Sequence, residues 1–132
     1  MKIYTGYYGN MRAYRGMTCV AISLGVPKWL NFPIPNCRVL NPKPYMLHME
    51  QGQYTAAYNR ILDSLSPQYV VEFLEGVSDG RDVVLLCYEK PGDFCHRQLV
   101  AAWLNRNGIS VEEYFKPVEQ KPESDQMELF AQ

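Results

Sequence analysis

The chain has 132 residues, 47% hydrophobic and 20% charged, which is enough to bury one core and too few for a second domain of ordinary size. Thirteen basic and fourteen acidic side chains leave a formal net charge of −1, which excludes the global positive field behind non-specific nucleic-acid binding. Four irregularly spaced cysteines, no apolar run near the ~20 residues of a membrane span and no signal-type apolar core at the amino end predict a cytoplasmic domain whose sulfurs are thiols.

Residues 2–7 predict a first strand, and Gly6 and Gly9 around Tyr7 and Tyr8 predict a loop where a backbone or ligand comes close. Arg12, Tyr14 and Arg15 form a basic and aromatic cluster, read as a solvated loop, ahead of a second strand over 18–24. Between 25 and 44 five prolines exclude regular helix over most of the stretch. What remains is a long wrapping loop that Trp29 and Phe32 are expected to pin to the core, with Arg38-Val39-Leu40 as a short strand within it.

His48 lies in the apolar setting of Tyr45 to Met49 and reads as a packing histidine. Tyr54, Ala57, Tyr58, Ile61, Leu62 and Leu65 share one face at helical spacing, so 53–65 is an amphipathic helix with its tyrosines in the core. Ser66-Pro67 is an N-cap followed by proline at the first helical position, opening a second helix that Gly76 closes. Past the Ser78-Asp79-Gly80 turn, Val83 to Cys87 is a continuous apolar run, the signature of a parallel strand buried on both faces.

The chemistry collects just beyond that strand. Lys90-Pro91-Gly92-Asp93 breaks it, and Asp93 is placed to cap a helix whose apolar side is Leu99, Val100, Trp103 and Leu104 and whose end is Gly108. Cys95, His96 and Arg97 then fall in the first helical turn, where free N–H groups and the helix dipole attract anions and lower a thiol's pKa. In a parallel sheet this turn opens on the crevice beyond the carboxyl ends of the strands. A short edge strand over 111–115 ends the domain, and the polar, proline-containing stretch 116–132 predicts a flexible tail.

Two chemistries fit these residues. One is an enzyme with Cys95 as nucleophile or redox thiol, His96 assisting and Glu89 as general acid or base. The other is an anion or nucleotide pocket in which Arg97 and the helix start bind phosphate while Thr5, Gly6, Tyr7 and Cys87 line the site. Cys87, Cys95 and His96 with Cys19 or Cys37 are suitable zinc ligands, but the Cys-x7-Cys-His spacing is not a familiar zinc pattern, so no metal is expected and the cofactor stays open. Adjacent helical residues point about 100° apart, so Cys95, His96 and Arg97 are not expected to converge on one atom.

Leu85-Leu86-Cys87-Tyr88-Glu89 followed by Cys95-His96-Arg97 resembles the hallmark of the domain of unknown function 488 family: an apolar strand ending Leu-Leu-Cys-x-Glu, a short loop, then Cys-His-Arg. Ile3-Tyr4-Thr5-Gly6-Tyr7 is similar to the family's opening strand, so the resemblance covers roughly residues 1–115. Many members carry Asp-Val-Arg at the end of the second strand; here Ala21-Ile22-Ser23 stands there, and no role transfers from that acid. The reading is a single three-layer α/β domain with a mostly parallel sheet over 1–115, followed by the tail over 116–132. The family name implies no activity.

In the tail, Gln126-Met127-Glu128-Leu129-Phe130 is similar to the bacterial sliding-clamp-binding motif. Gln126, Met127, Leu129 and Phe130 would be its anchors, implying an enzyme of DNA or nucleotide metabolism recruited to the DNA sliding clamp. The alternatives are a non-catalytic nucleotide- or nucleic-acid-binding adaptor, or a protein with a structural zinc site.

Overall fold

In the computed structural model, which describes residues 1–115, the apolar run that opens the chemical stretch is an interior strand with all five residues buried. Four strands, β1 (Ile3–Tyr7), β2 (Thr18–Ala21), β3 (Val83–Cys87) and β4 (Val111–Glu113), form one all-parallel sheet in the order β2-β3-β1-β4. The register sets Tyr7 beside Cys87, Ala21 beside Leu86 and Thr5 beside Glu113, so β1, β2 and β3 finish at nearly the same level. The stretch 18–24, expected as strand throughout, is strand only to Ala21, and β4 stops at Glu113 rather than 115.

Side chains alternate across a strand, and β3 shows where each set goes. Val83 and Leu85, with Ile3, Val20 and Val111, meet three helices: α1 (Gln51–Asp63), α2 (Pro67–Ser78) and α3 (His96–Arg106). Tyr58, Leu62, Val70, Leu74, Val100, Trp103 and Leu104 complete that core, each at most 2% exposed. Val84, Leu86 and Ala21 face the other way, onto Tyr8 and Tyr14. Residues Tyr8–Tyr14 form a 3-10 segment that makes the third layer; of Arg12, Tyr14 and Arg15, expected as a solvated cluster, the two arginines are exposed and Tyr14 is buried. The Tyr14 hydroxyl accepts the Tyr7 N–H at 3.1 Å, which satisfies both polar groups where the segment packs on the sheet.

The helix ends follow local chemistry. Glu50 starts α1 by accepting the Gln53 and Gly52 N–H groups at 2.7 and 3.0 Å, two residues earlier than the apolar spacing implied. Ser66 caps α2 through the Tyr69 N–H at 3.2 Å, with Pro67 in the first turn as expected. Gly76 does not end α2. A lone glycine costs a helix only about 1 kcal/mol relative to alanine, and the stop comes at Asp79, whose φ of +52° leaves the right-handed helix.

The long proline-rich loop is held differently from the expectation. Trp29 and Phe32 are 62% and 52% exposed, so they do not pin it. Cys37, Leu40 and Met46 are buried instead, and a single bridge beside β2 fixes the course, with Ala21 N–H donating to Pro35 O at 2.8 Å and Cys37 N–H to Ala21 O at 2.9 Å. One bridge is not a strand: Arg38–Leu40 turns as a 3-10 segment, bringing Leu40 inward, where its carbonyl accepts the Tyr58 hydroxyl. His48 is exposed rather than packed. No helix among the described residues is long and apolar enough to cross a membrane. The clamp-type motif at Gln126, Met127, Leu129 and Phe130, and the tail that carries it, lie outside the described residues.

Candidate functional site

A cleft of about 450 Å³ opens at the carboxyl ends of β2 and β3, between the Ser23–Gly25 turn, the entry to α1 and the loop from β3 to α3. Its position is the one that parallel α/β sheets give to ligand sites. Gly92, at φ +97°, turns the loop, and the Asp93 N–H donates back to Lys90 O at 3.1 Å. Asp93 is thereby used in the turn and does not cap α3. The N-cap is Cys95, in an extended conformation at φ −149°, ψ 146°.

That local geometry changes what neighbouring residues can do. The ~100° fan between successive side chains applies inside a helix, and Cys95 sits just outside it. Its sulfur and the His96 ring therefore converge, with His96 Nδ1 3.8 Å from Cys95 Sγ. Cys87, the last residue of β3, brings its sulfur to the same point, and the three donor atoms lie within 4.8 Å of one another. The cysteines were expected as separate thiols; the sulfurs of Cys87 and Cys95 instead meet in the pairing of a disulfide, from backbones 7.2 Å apart at Cα. Disulfides usually close over about 4.4–6.8 Å, so this backbone holds two sulfurs convergent across a span wider than a relaxed bridge.

His96 is fixed by a backbone group that has no sequence signature. Its Nε2 lies 2.6 Å from the Ile22 carbonyl, which only accepts, so Nε2 carries the proton and the Nδ1 lone pair faces the sulfurs. Burial lowers its pKa to about 4, the Ile22 hydrogen bond opposes that shift, and the neighbouring Arg97 charge adds to it. Near neutral pH the imidazole is uncharged. Its ring meets Tyr58 edge-on with centroids 5.3 Å apart.

Arg97 turns the other way. Fully buried, it donates through Nε and one terminal nitrogen to the two Glu113 oxygens at 3.0 and 3.1 Å, and through the other to Cys87 Sγ at 3.1 Å and the Glu89 carbonyl. Thr5 donates to the same carboxylate at 2.7 Å, and the Tyr7 ring lies 5.8 Å below the guanidinium. An alanine Cβ at Gly6 would strike the Tyr14 hydroxyl, which makes Gly6 a packing glycine. Thr5, Gly6, Tyr7 and Arg97, expected to line an anion pocket, thus build a buried support behind Cys87 and do not line the cleft. Cys19 and Cys37 stay outside the cluster, and burial raises both thiols, Cys37 to about 11.

The cleft itself is apolar and aromatic with few polar groups. Tyr54 and Phe94 meet edge-on at 5.4 Å to form one wall, and Leu24, Leu47 and Met49 supply others. Tyr54, expected in the core with Tyr58, is a wall residue; burial and the nearby Glu89 charge push its hydroxyl up to about 12. Ser23 lines the cleft but spends its hydroxyl on the Gly25 carbonyl while accepting from Tyr8 at 2.7 Å. Among the described residues no lysine or arginine lines the cleft, and Glu89 adds a carboxylate, so that lining does not provide the cation expected for a phosphate. The wall residues Leu24, Leu47, Met49, Tyr54 and Phe94 were missed as site residues; only the Tyr54/Tyr58 spacing carried a signal, and it read more readily as core.

No curated protein and no solved structure matches the chain. Residues 38–108, more than half of the sequence, match the family model described as the active DUF488-N3 subclade, and this stretch contains β3, the Cys-His-Arg turn and all of the cleft lining outside the Ser23–Gly25 turn. On that match the chain belongs to the DUF488-N3a family.

Proposed function

We propose that this domain is an enzyme whose reaction centre is the cluster of Cys87, Cys95 and His96, acting on a small, planar, uncharged molecule of the nucleobase or nucleoside type. The observation that carries the reading is the convergence of two sulfurs and an imidazole lone pair within 4.8 Å of one another against a cleft of about 450 Å³. Clusters of this kind at the end of a parallel strand are where α/β domains keep their chemistry. Aromatic walls at Tyr54 and Phe94 favour a flat ligand, and the absence of lining cations among the described residues argues against a polyphosphate. Glu89, exposed at the cleft, is the group available to exchange protons with solvent. The description of the matching subclade as active supports turnover over mere binding.

The test is a panel of nucleobases and nucleosides, read by thermal shift and product analysis, on wild type and Cys95→Ser. The expected result is turnover by the wild type and its loss in a folded Cys95→Ser variant. Ligand binding with no turnover by either protein would instead establish the non-catalytic adaptor. Turnover by Cys95→Ser at the wild-type rate would refute the reaction centre. The Gln126 to Phe130 motif supports recruitment to the DNA sliding clamp as the setting for this activity. Deleting 124–132 is expected to abolish clamp binding and leave turnover unchanged; clamp binding that survives the deletion refutes the motif.

A further inference from the structure

We infer that Cys87, Cys95 and His96 form a site for a soft divalent metal ion of the zinc class, with three protein ligands and a fourth position turned to the cleft. The inference rests on the reading of this cluster as the reaction centre and names what the centre holds.

Distances come first. Zinc binds thiolate sulfur at about 2.3 Å and imidazole nitrogen at about 2.0 Å in tetrahedral array, which sets sulfur and nitrogen ligands about 3.5 Å apart and two sulfurs about 3.8 Å apart. His96 Nδ1 lies 3.8 Å from Cys95 Sγ, near the zinc value, while the sulfurs of Cys87 and Cys95 are paired as a disulfide, so the ion enters the reduced form of the cluster. The Cα atoms of Cys87 and Cys95 are 7.2 Å apart. That span exceeds the ~4.4–6.8 Å of relaxed disulfides, and once the pair is reduced it leaves the two sulfurs room to part around an ion.

The surroundings of each ligand point the same way. Metal-binding histidines nearly always give their second ring N–H to a carbonyl or carboxylate, which fixes the tautomer and aims the other nitrogen. His96 does this through Ile22 O at 2.6 Å, leaving the Nδ1 lone pair toward the sulfurs. Cys87 Sγ accepts from the Arg97 guanidinium at 3.1 Å, a contact that in the reduced cluster favours thiolate over thiol. Two thiolates and one divalent ion sum to zero charge, so an ion here places no net positive charge beside Arg97. Sulfur and imidazole donors select zinc over magnesium or calcium, which require oxygen.

Among the described residues the cluster has three members and no fourth histidine, cysteine or carboxylate. Structural zinc sites are closed by four protein ligands, whereas sites with three keep a position for water or substrate. Here that position borders the cleft, with Glu89 also on its wall. A zinc-bound water in such a site ionises near pH ~7, giving the cleft a reactive oxygen. The Cys-x7-Cys-His spacing failed to announce this because the two helical neighbours converge only when Cys95 is an extended N-cap.

The experiment uses the full chain purified under reducing conditions without chelator. Elemental analysis is expected to find close to one zinc per chain, and exchange with cobalt to give a thiolate-to-cobalt charge-transfer band. Cys87→Ser, Cys95→Ser and His96→Gln are each expected to weaken cobalt binding by about a hundredfold or more, above the ~10–100-fold typical of outer-shell changes, while Cys37→Ser leaves it unchanged. Because substitutions in a buried cluster can unfold the chain, the wild-type cobalt titration stands as a readout by itself. Reduced wild type with four countable thiols that takes up far less than one equivalent of zinc or cobalt, and gives no charge-transfer band, overturns the inference. So does full turnover by chelator-stripped protein, an outcome that leaves the reaction centre intact. Stoichiometric metal in wild type together with undiminished turnover by Cys95→Ser supports the metal site and refutes the reaction-centre reading instead.

Discussion

Replacing Glu113 by glutamine isolates the pair that holds β4, α3 and the end of β3 together. The substitution keeps shape and removes one charge. In the native protein Glu113 Oε1 accepts from Arg97 Nε at 3.0 Å and from Thr5 at 2.7 Å, while Oε2 accepts from the Arg97 terminal nitrogen at 3.1 Å. Glutamine turns one of these oxygens into an NH2 group facing a donor. It also leaves a guanidinium whose side chain is 1% exposed without its counter-charge. Breaking a buried ion pair from one side costs about 3–5 kcal/mol, against a total stability of about 5–15 kcal/mol for ordinary domains. Glu113 is 21% exposed, so solvent screening favours the lower end, about 3 kcal/mol. For a chain of this size each kcal/mol lowers Tm by about 3–5 °C, so the expected fall is about 10–15 °C, with a matching shift of the urea midpoint. Arg97→Met with Glu113→Leu removes both charges and is expected to be more stable than the sum of the two single changes by about 2 kcal/mol. A Glu113→Gln loss below about 1 kcal/mol, or strict additivity in the cycle, would refute the account of Arg97 as a buried cation held by β4.

Gly6→Ala should destabilise by about 1–3 kcal/mol through overpacking, since the new Cβ meets the Tyr14 hydroxyl and lies 2.9 Å from Val84 Cγ2; a melting temperature equal to wild type would mean that Tyr14 is free to move. Ser66→Ala should cost about 1 kcal/mol in urea titrations by removing the cap on the Tyr69 N–H, and a neutral result would mean α2 starts elsewhere. In chelator-stripped protein, His96, lowered to about 4, stays neutral where the unfolded chain's histidine, near ~6.5, takes a proton. Stability from this group is therefore full above pH ~6.5 and falls as pH drops toward about 4, by up to ~3 kcal/mol. Urea midpoints across that window should show the slope in wild type and a shallower one in His96→Gln; identical slopes would show that His96 protonates freely in the folded state.

The α/β class, the buried β3, the Ser66-Pro67 start of α2 and the Cys-His-Arg turn at a sheet end were all legible in the sequence, because each is written in neighbouring residues. A run of apolar side chains, a hydroxyl before a proline and a glycine turn act over a few positions, and the chain cannot avoid them. The partners of the chemical residues are another matter. His96 is aimed by the carbonyl of Ile22, Arg97 is drawn sixteen residues on to Glu113, and Cys87 meets Cys95 only because the latter caps its helix from outside. A backbone carbonyl is the same group at every residue, and the choice of Glu113 over any other acid depends on β4 lying against β1. Trp29 in solvent and Tyr54 on the cleft wall were decided in the same way, by which surface the core had already filled. The residues of the site are thus fixed locally, while their division into a cluster facing the cleft and a support behind it follows from strand order, which no short stretch of sequence encodes.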